Sequence, residues 1–321
     1  MIIGILGPGG CGGTFLDWTL QYLSGQDKIW NINCGALDRS YIVSQGNYEL
    51  IDNPLKGKSA HNHVKTHPNE HSVDTVIDIL QQHTEFDLHS FYFTDTMKSS
   101  KTQTQYNQLI SKHPTVKFIT YNFSQRDIDI IFCFQLEKIS VARFAMDRLI
   151  MAHSSIPLQQ MPIWDQRELM SLYYPGSIKG QILVEEIKPA PNNYSIEFVD
   201  IIENLDTEIH NVFDYIGIEI CKDRLQKWYK IYNEWKSRNN IDFYNNLDTI
   251  VLDIIKNTPH DLSQYNMSFA KEVVIANKLL YNHNLALKSY GKLGLSSNTQ
   301  QWTEILEPNV YHNLQNIKGN L

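Results

Sequence analysis

The sequence contains little cysteine, and the cysteine it has is not arranged for metal or disulfide chemistry. Four cysteines occur among 321 residues, far apart and without C-x-x-C spacing. This distribution argues against a zinc ribbon and against a disulfide framework. We therefore expect four free thiols, at Cys11, Cys34, Cys133 and Cys221.

Basic charge and long apolar segments are also missing. The first residues contain no basic region, no long apolar run and no small-residue cleavage site, so the sequence predicts a cytoplasmic protein without a membrane span. The formal net charge of -7 argues against a protein that binds along nucleic acid without sequence specificity. Nucleic acid is therefore not an expected partner, and the composition sets no oligomeric state.

A further absence lies in a glycine-rich loop near the start of the chain. The loop fits the Walker pattern G-x-x-x-x-G-K-[ST] at Gly7, Gly12 and Thr14, but Gly13 replaces the lysine. An apolar run precedes the loop and helical spacing follows it, which predicts a strand, a loop and a helix. The amides of such a loop converge on an anion. A tight turn that packs a helix closely on a strand is the alternative interpretation.

Strand-like and helix-like patterns alternate along the first two thirds of the chain. Such alternation predicts an α/β fold with a mostly parallel central sheet, whose ligands bind beyond the carboxyl ends of the strands. We expect one P-loop-like domain of three layers over residues 1–321, with a helical C-terminal part. Residues 31–61 are predicted to form a long irregular segment over the mouth of the glycine loop. The patterns predict helices over 72–83, 101–113 and 126–149, strands over 90–93, 116–123 and 194–198, and a later helix that ends at Gly217.

The order of these elements resembles the sulfotransferase family, whose members transfer a sulfuryl group from 3′-phosphoadenosine 5′-phosphosulfate (PAPS). That family has a Walker-like loop without the lysine, typically [RK]-S-G-T-T-x-[LW]. Gly10 stands where the family has its basic residue, and Gly13 stands where it usually has a hydroxyl. The stretch GCGGTFL is otherwise similar to the family pattern, at Gly12, Thr14, Phe15 and Leu16.

A second signature of that family, a strand running into R-D-P-R-D and then a serine, is similar to FITYNFSQRDIDIIF, residues 118–132. Arg126 and Asp127 match its second arginine and aspartate. Phe123 replaces the first arginine and Ile131 replaces the serine, the two residues that hold the 3′-phosphate in the family. The resemblance therefore implies a rearranged 3′-phosphate pocket, with polar contacts from Ser124, Gln125 and Arg126.

The segment VKTHP, residues 64–68, resembles the K-T-H-x-P segment of the family. In the family, this histidine takes the proton of the acceptor hydroxyl and the lysine helps to stabilise charge. The resemblance thus implies His67 as the general base and Lys65 as its charged neighbour. A neutral imidazole suits proton abstraction near pH 7. A structural histidine and a solvated surface lysine are the alternatives.

The resemblance also implies the ligands. PAPS is the expected cosubstrate, and a hydroxyl-bearing small molecule or glycan is the expected acceptor. Arg126 is a second candidate cation, although an ion pair with Asp127 or Asp129 is the alternative for this arginine. The implied cofactor-binding residues are Gly9, Gly10, Cys11, Gly12, Gly13, Thr14, Phe15, Ser124 and Arg126.

Two residue clusters have alternative interpretations. Four histidines within eleven residues are dense enough for a metal site, but Pro68 disfavours the continuous helix that would bring three of them together. We therefore predict no metal. An aromatic stripe with helical spacing predicts core or interface packing, with stacking on adenine or a sugar as the minor alternative. The histidines are His61, His63, His67 and His71, and the aromatic residues are Trp228, Tyr229, Tyr232 and Trp235.

Two other functions compete with sulfuryl transfer. The missing loop cation, Phe123 and Ile131 favour a non-catalytic binding or assembly protein that keeps the fold. A kinase-like or NTP-hydrolysing P-loop enzyme is disfavoured, because such enzymes use the loop lysine on the β- and γ-phosphates. No clear Walker B aspartate is identified at a predicted strand end.

Overall fold

The fold is that of a computed structural model. It describes residues 1–7, 11–33, 44–56, 63–65, 71–94, 102–138, 189–256, 258, 260–266, 271 and 274–275. Contacts divide the chain into two compact units, one built from Met1–Asp127 and Gly180–Asn240 and the other from Ile128–Lys179 and Ile241–Leu321. The prediction of one sulfotransferase-like domain stays a prediction.

A parallel sheet of five strands forms the centre of the first unit, so the predicted α/β class with a mostly parallel central sheet is confirmed. The strand order is β4-β5-β1-β6-β7. Every residue of β1 is buried, which fits its unbroken apolar sequence IIGIL. The strands are β1 Ile2–Leu6, β4 His63–Lys65, β5 His89–Thr94, β6 Lys117–Asn122 and β7 Asn193–Glu197.

Helices cover both faces of this sheet. One face contributes Phe91 and Phe118 to a buried cluster with Val76 of α2 and Ile110 of α3. On the other face, Ser90 of β5 accepts a hydrogen bond of 2.9 Å from Gln21 of α1. The alternation of side chains along each strand produces this division. The helices are α1 Gly13–Leu23, α2 His71–Gln81 and α3 Thr102–Lys112.

The helical part that follows β7 also has its predicted pattern. The predicted end at Gly217 is confirmed, because Gly217 adopts the left-handed conformation with φ 73° at the C-cap of α6. Trp228, Tyr232 and Trp235 of α7 are buried, as the stripe predicted, and Tyr229 is partly exposed. The helices after β7 are α5 Phe198–Glu203, α6 Leu205–Ile216 and α7 Lys222–Arg238, whereas α4, Gln125–Lys138, follows β6.

The prediction of an irregular segment from Asn31 to His61 was wrong in part. Strand β2, Lys28–Asn33, runs into its first residues, and strand β3, Ser44–Glu49, lies inside it; the two form an antiparallel pair. Their sequences, KIWNIN and SQGNYE, contain few β-branched residues, so the local signal for a strand is weak. Pairing between the strands, with Trp30 opposite Asn47, overrides that weak signal.

The second unit is described through fewer residues. It contains the short helix α8, Asp242–Asn245, and helix α9, Leu247–Lys256. Phe243 packs edge-on against Tyr244 and Tyr265, and His260 lies 2.7 Å from an Asp253 carboxylate oxygen. Across the described parts of the chain, no helix is long and apolar enough to cross a membrane.

Candidate functional site

The glycine loop lies where the sheet topology predicts a ligand site. The chain that leaves β1 continues to β4 on one side of the sheet, and the chain that leaves β6 continues to β7 on the other. Adjacent parallel strands whose connections run in opposite directions leave a crevice beyond their carboxyl ends. The loop after β1 and the Phe123-to-Arg126 segment after β6 therefore lie at the same crevice.

Tyrosine rings beneath the loop leave no space for a side chain at two of its glycines. A Cβ on Gly13 would lie 2.3 Å from the ring of Tyr92, on β5. A Cβ on Gly7 would lie 2.6 Å from the ring of Tyr121, on β6. No side chain fits at such distances unless the ring moves. The ring of Tyr92 thus fills the space in which a lysine at the Walker position would begin.

The thiol of Cys11 is enclosed between the same two tyrosines. Its Sγ lies 3.4 Å from the Tyr92 hydroxyl, and the Tyr121 hydroxyl also interacts with it. Burial raises the pKa of the Cys11 thiol to about 11, although the Tyr92 hydroxyl and the Gly13 amide act in the opposite direction. Burial also raises the pKa values of Tyr92 and Tyr121 well above their usual range. All three groups are therefore neutral at physiological pH.

The amides at the start of α1 are only partly used within the protein. Gly12 is the N-cap with φ 80°, and its carbonyl accepts the N–H groups of Phe15 and Leu16 at 2.9 and 3.0 Å. The Gly13 amide donates to Cys11. Among the described residues, the Thr14 amide and hydroxyl have no hydrogen-bond partner. An N-terminal amide that points away from the protein can bind an anion.

Aromatic packing supports the outer side of the loop. A Cβ on Gly12 would meet Ile201 of α5 at 3.2 Å and the indole of Trp235 at 3.3 Å. Phe15 stacks on Trp235 with ring centroids 4.5 Å apart and an interplanar angle of 11°. Phe15 is therefore a buried core residue that positions the start of α1, and not an exposed stacking surface.

The residues after β6 form the opposite wall of the crevice. Ser124 and Asp127 make a capping box at the start of α4: the Ser124 amide donates to Asp127 Oδ2 at 2.7 Å, and the Asp127 amide donates to Ser124 Oγ at 3.3 Å. Arg126 is partly exposed beside them. Phe123 packs between Tyr121 and Phe198, at centroid distances of 6.0 and 5.8 Å.

Carboxylates dominate the charge of this wall. Asp127 is 2% exposed, and its Oδ1 atom is buried with no hydrogen-bond partner. Burial raises its pKa, as does the charge of Glu197, while the bonds to Ser124 and the charge of Arg126 lower it. Glu197, at the end of β7, accepts a hydrogen bond of 2.9 Å from Asn122. The sequence argument missed both of these carboxylates as site residues.

The remaining predicted residues are placed only in part. Lys65 is the last residue of β4 and pairs with Thr94 of β5, so its backbone lies at the same edge of the sheet as the glycine loop. Gly9, Gly10 and His67 lie outside the described residues. His63 begins β4 and His71 begins α2. Among the described residues, no group of three or more His, Cys, Asp or Glu side chains is placed to hold a metal ion.

The strand beside β1 is followed by a carboxylate that the sequence argument passed over. This strand, β5, ends at Thr94, and Asp95 is the next residue in the sequence. That β5 lies next to β1 follows from the strand order, which the sequence pattern does not contain.

The chain has no match among known proteins in three kinds of comparison. No family model, no curated protein and no solved structure matches it. A proposal for its function therefore depends on the geometry at the carboxyl edge of the sheet and on the sequence resemblance.

The buried thiol gives the first testable prediction. At pH 8 we expect Cys11 to react with a thiol reagent at least about a hundredfold more slowly than Cys221, because Cys11 is buried and neutral while Cys221 is partly exposed. Mass spectrometry of the labelled peptides separates the two sites. Denaturant should remove the difference, and equal rates in the folded protein would show that Cys11 is not enclosed.

Proposed function

We propose that the protein transfers a sulfuryl group from a nucleotide 5′-phosphosulfate to a hydroxyl group. PAPS is the donor that the sequence resemblance indicates, and the acceptor is a hydroxyl-bearing small molecule or glycan. The proposed architecture is a three-layer, P-loop-like arrangement. Support for it comes from the parallel sheet, from helices on both of its faces and from the loop between β1 and α1.

One observation carries the proposal. The glycine loop, which begins α1 with a Thr14 amide that has no partner among the described residues, lies at the crevice between β1 and β6. A leaving phosphate needs hydrogen-bond donors that are fixed before the reaction, and a helix N-terminus provides them. The loop has no cation of its own. The charge that develops in the transition state must therefore be stabilised from elsewhere, and Lys65 is the candidate at the same edge of the sheet.

The proposed reaction assigns one step to each group. The bond between the sulfur and the bridging phosphate oxygen breaks, and a bond between the sulfur and the acceptor oxygen forms. The acceptor proton goes to His67, and the nucleotide phosphate leaves on the loop amides. Lys65 would counter the negative charge on the transferring group. This assignment uses no metal ion.

A non-catalytic binding or assembly protein is the second candidate, and specific observations favour it. The Tyr92 ring occupies the space of a Walker lysine, and Phe123 is packed between two aromatic rings. Both features stabilise the fold without serving a reaction. A P-loop NTP-hydrolysing enzyme is a third candidate, to which Asp95 gives some support as an acid that follows the strand next to β1.

Thermal unfolding with a panel of nucleotides tests these candidates. A ligand that binds only the folded state at 100 times its Kd adds about 2.7 kcal/mol of stability. We expect PAPS or adenosine 5′-phosphosulfate to stabilise the protein more than ATP does, with sodium sulfate as the ionic control. Greater stabilisation by ATP would favour the hydrolase. The absence of any shift would favour the non-catalytic protein and count against the proposal.

A further inference from the structure

We draw no further inference here: the strongest candidate, the Cys11 thiol enclosed by Tyr92 and Tyr121 beneath the glycine loop, belongs to the site already described and is a single cysteine beside which nothing in the described residues indicates a ligand.

Discussion

Replacing Gly13 by alanine is expected to lower the free energy of unfolding by about 3 kcal/mol, at the upper end of the usual cost of overpacking. The added methyl group would lie 2.3 Å from the ring of Tyr92, which is 3% exposed and belongs to β5. Urea unfolding at equilibrium measures the effect. Gly13→Lys, which completes the Walker pattern, should be at least as unstable.

Gly217→Ala is the control for this prediction. A Cβ on Gly217 would meet no atom within 4 Å, so only its left-handed φ of 73° opposes the substitution, at a cost of about 1 kcal/mol. Tyr92→Leu in the Gly13→Ala background should recover part of the loss, and a double-mutant cycle measures the coupling between the two positions. If both glycine variants lose the same free energy, the ring of Tyr92 is not the cause.

The sequence predicted four of the five strands of the sheet, because their hydrophobic periods are clear, but it did not predict the three-residue strand β4. β6 combines β-branched and aromatic residues, and α6 has its apolar residues at helical spacing before Gly217. The pair β2 and β3 was missed because its stability depends on pairing between the strands. A window along the chain does not contain that interaction.

The glycine loop shows why the site was harder to predict than the fold. In the sequence, Gly7 and Gly12 indicate a phosphate loop, and Gly13 stands in place of its lysine. Gly7 and Gly13 each lie against a tyrosine ring that is distant in sequence. No local pattern identifies Tyr92 or Tyr121 as the reason for these glycines. Among the described glycines of the loop, only Gly12, with φ 80°, needs glycine for its backbone conformation.

The start of α4, after β6, could have been predicted from the sequence. Ser124 and Asp127 have the spacing of a capping box, which marks the first turn of a helix. This spacing predicts that the Ser124 hydroxyl caps α4, which is an alternative to its predicted role in binding a phosphate. The partner of this wall, Glu197, is 75 residues from Asn122 in the sequence, so its position required the sheet register.

Replacing His67 by alanine is expected to reduce the rate of sulfuryl transfer by about 10²- to 10⁴-fold while nucleotide affinity stays close to that of the parent. The proposed base lies two residues after Lys65, a distance that extended chain covers in at most about 7 Å. β4 is separated from β1 by one strand, about 10 Å in total. A histidine that follows β4 at this edge can therefore reach an acceptor beside the loop. Steady-state rates and calorimetry on the same preparations separate the two effects.

The control for this prediction is His83→Ala. The His83 carbonyl oxygen lies 2.6 Å from His89 Nε2, and His89 begins β5 opposite Ile2, at the amino edge of the sheet and away from the glycine loop. His83→Ala should retain the parental rate, because it changes a histidine at the opposite edge of the sheet. A parental rate in His67→Ala would exclude this histidine as the base.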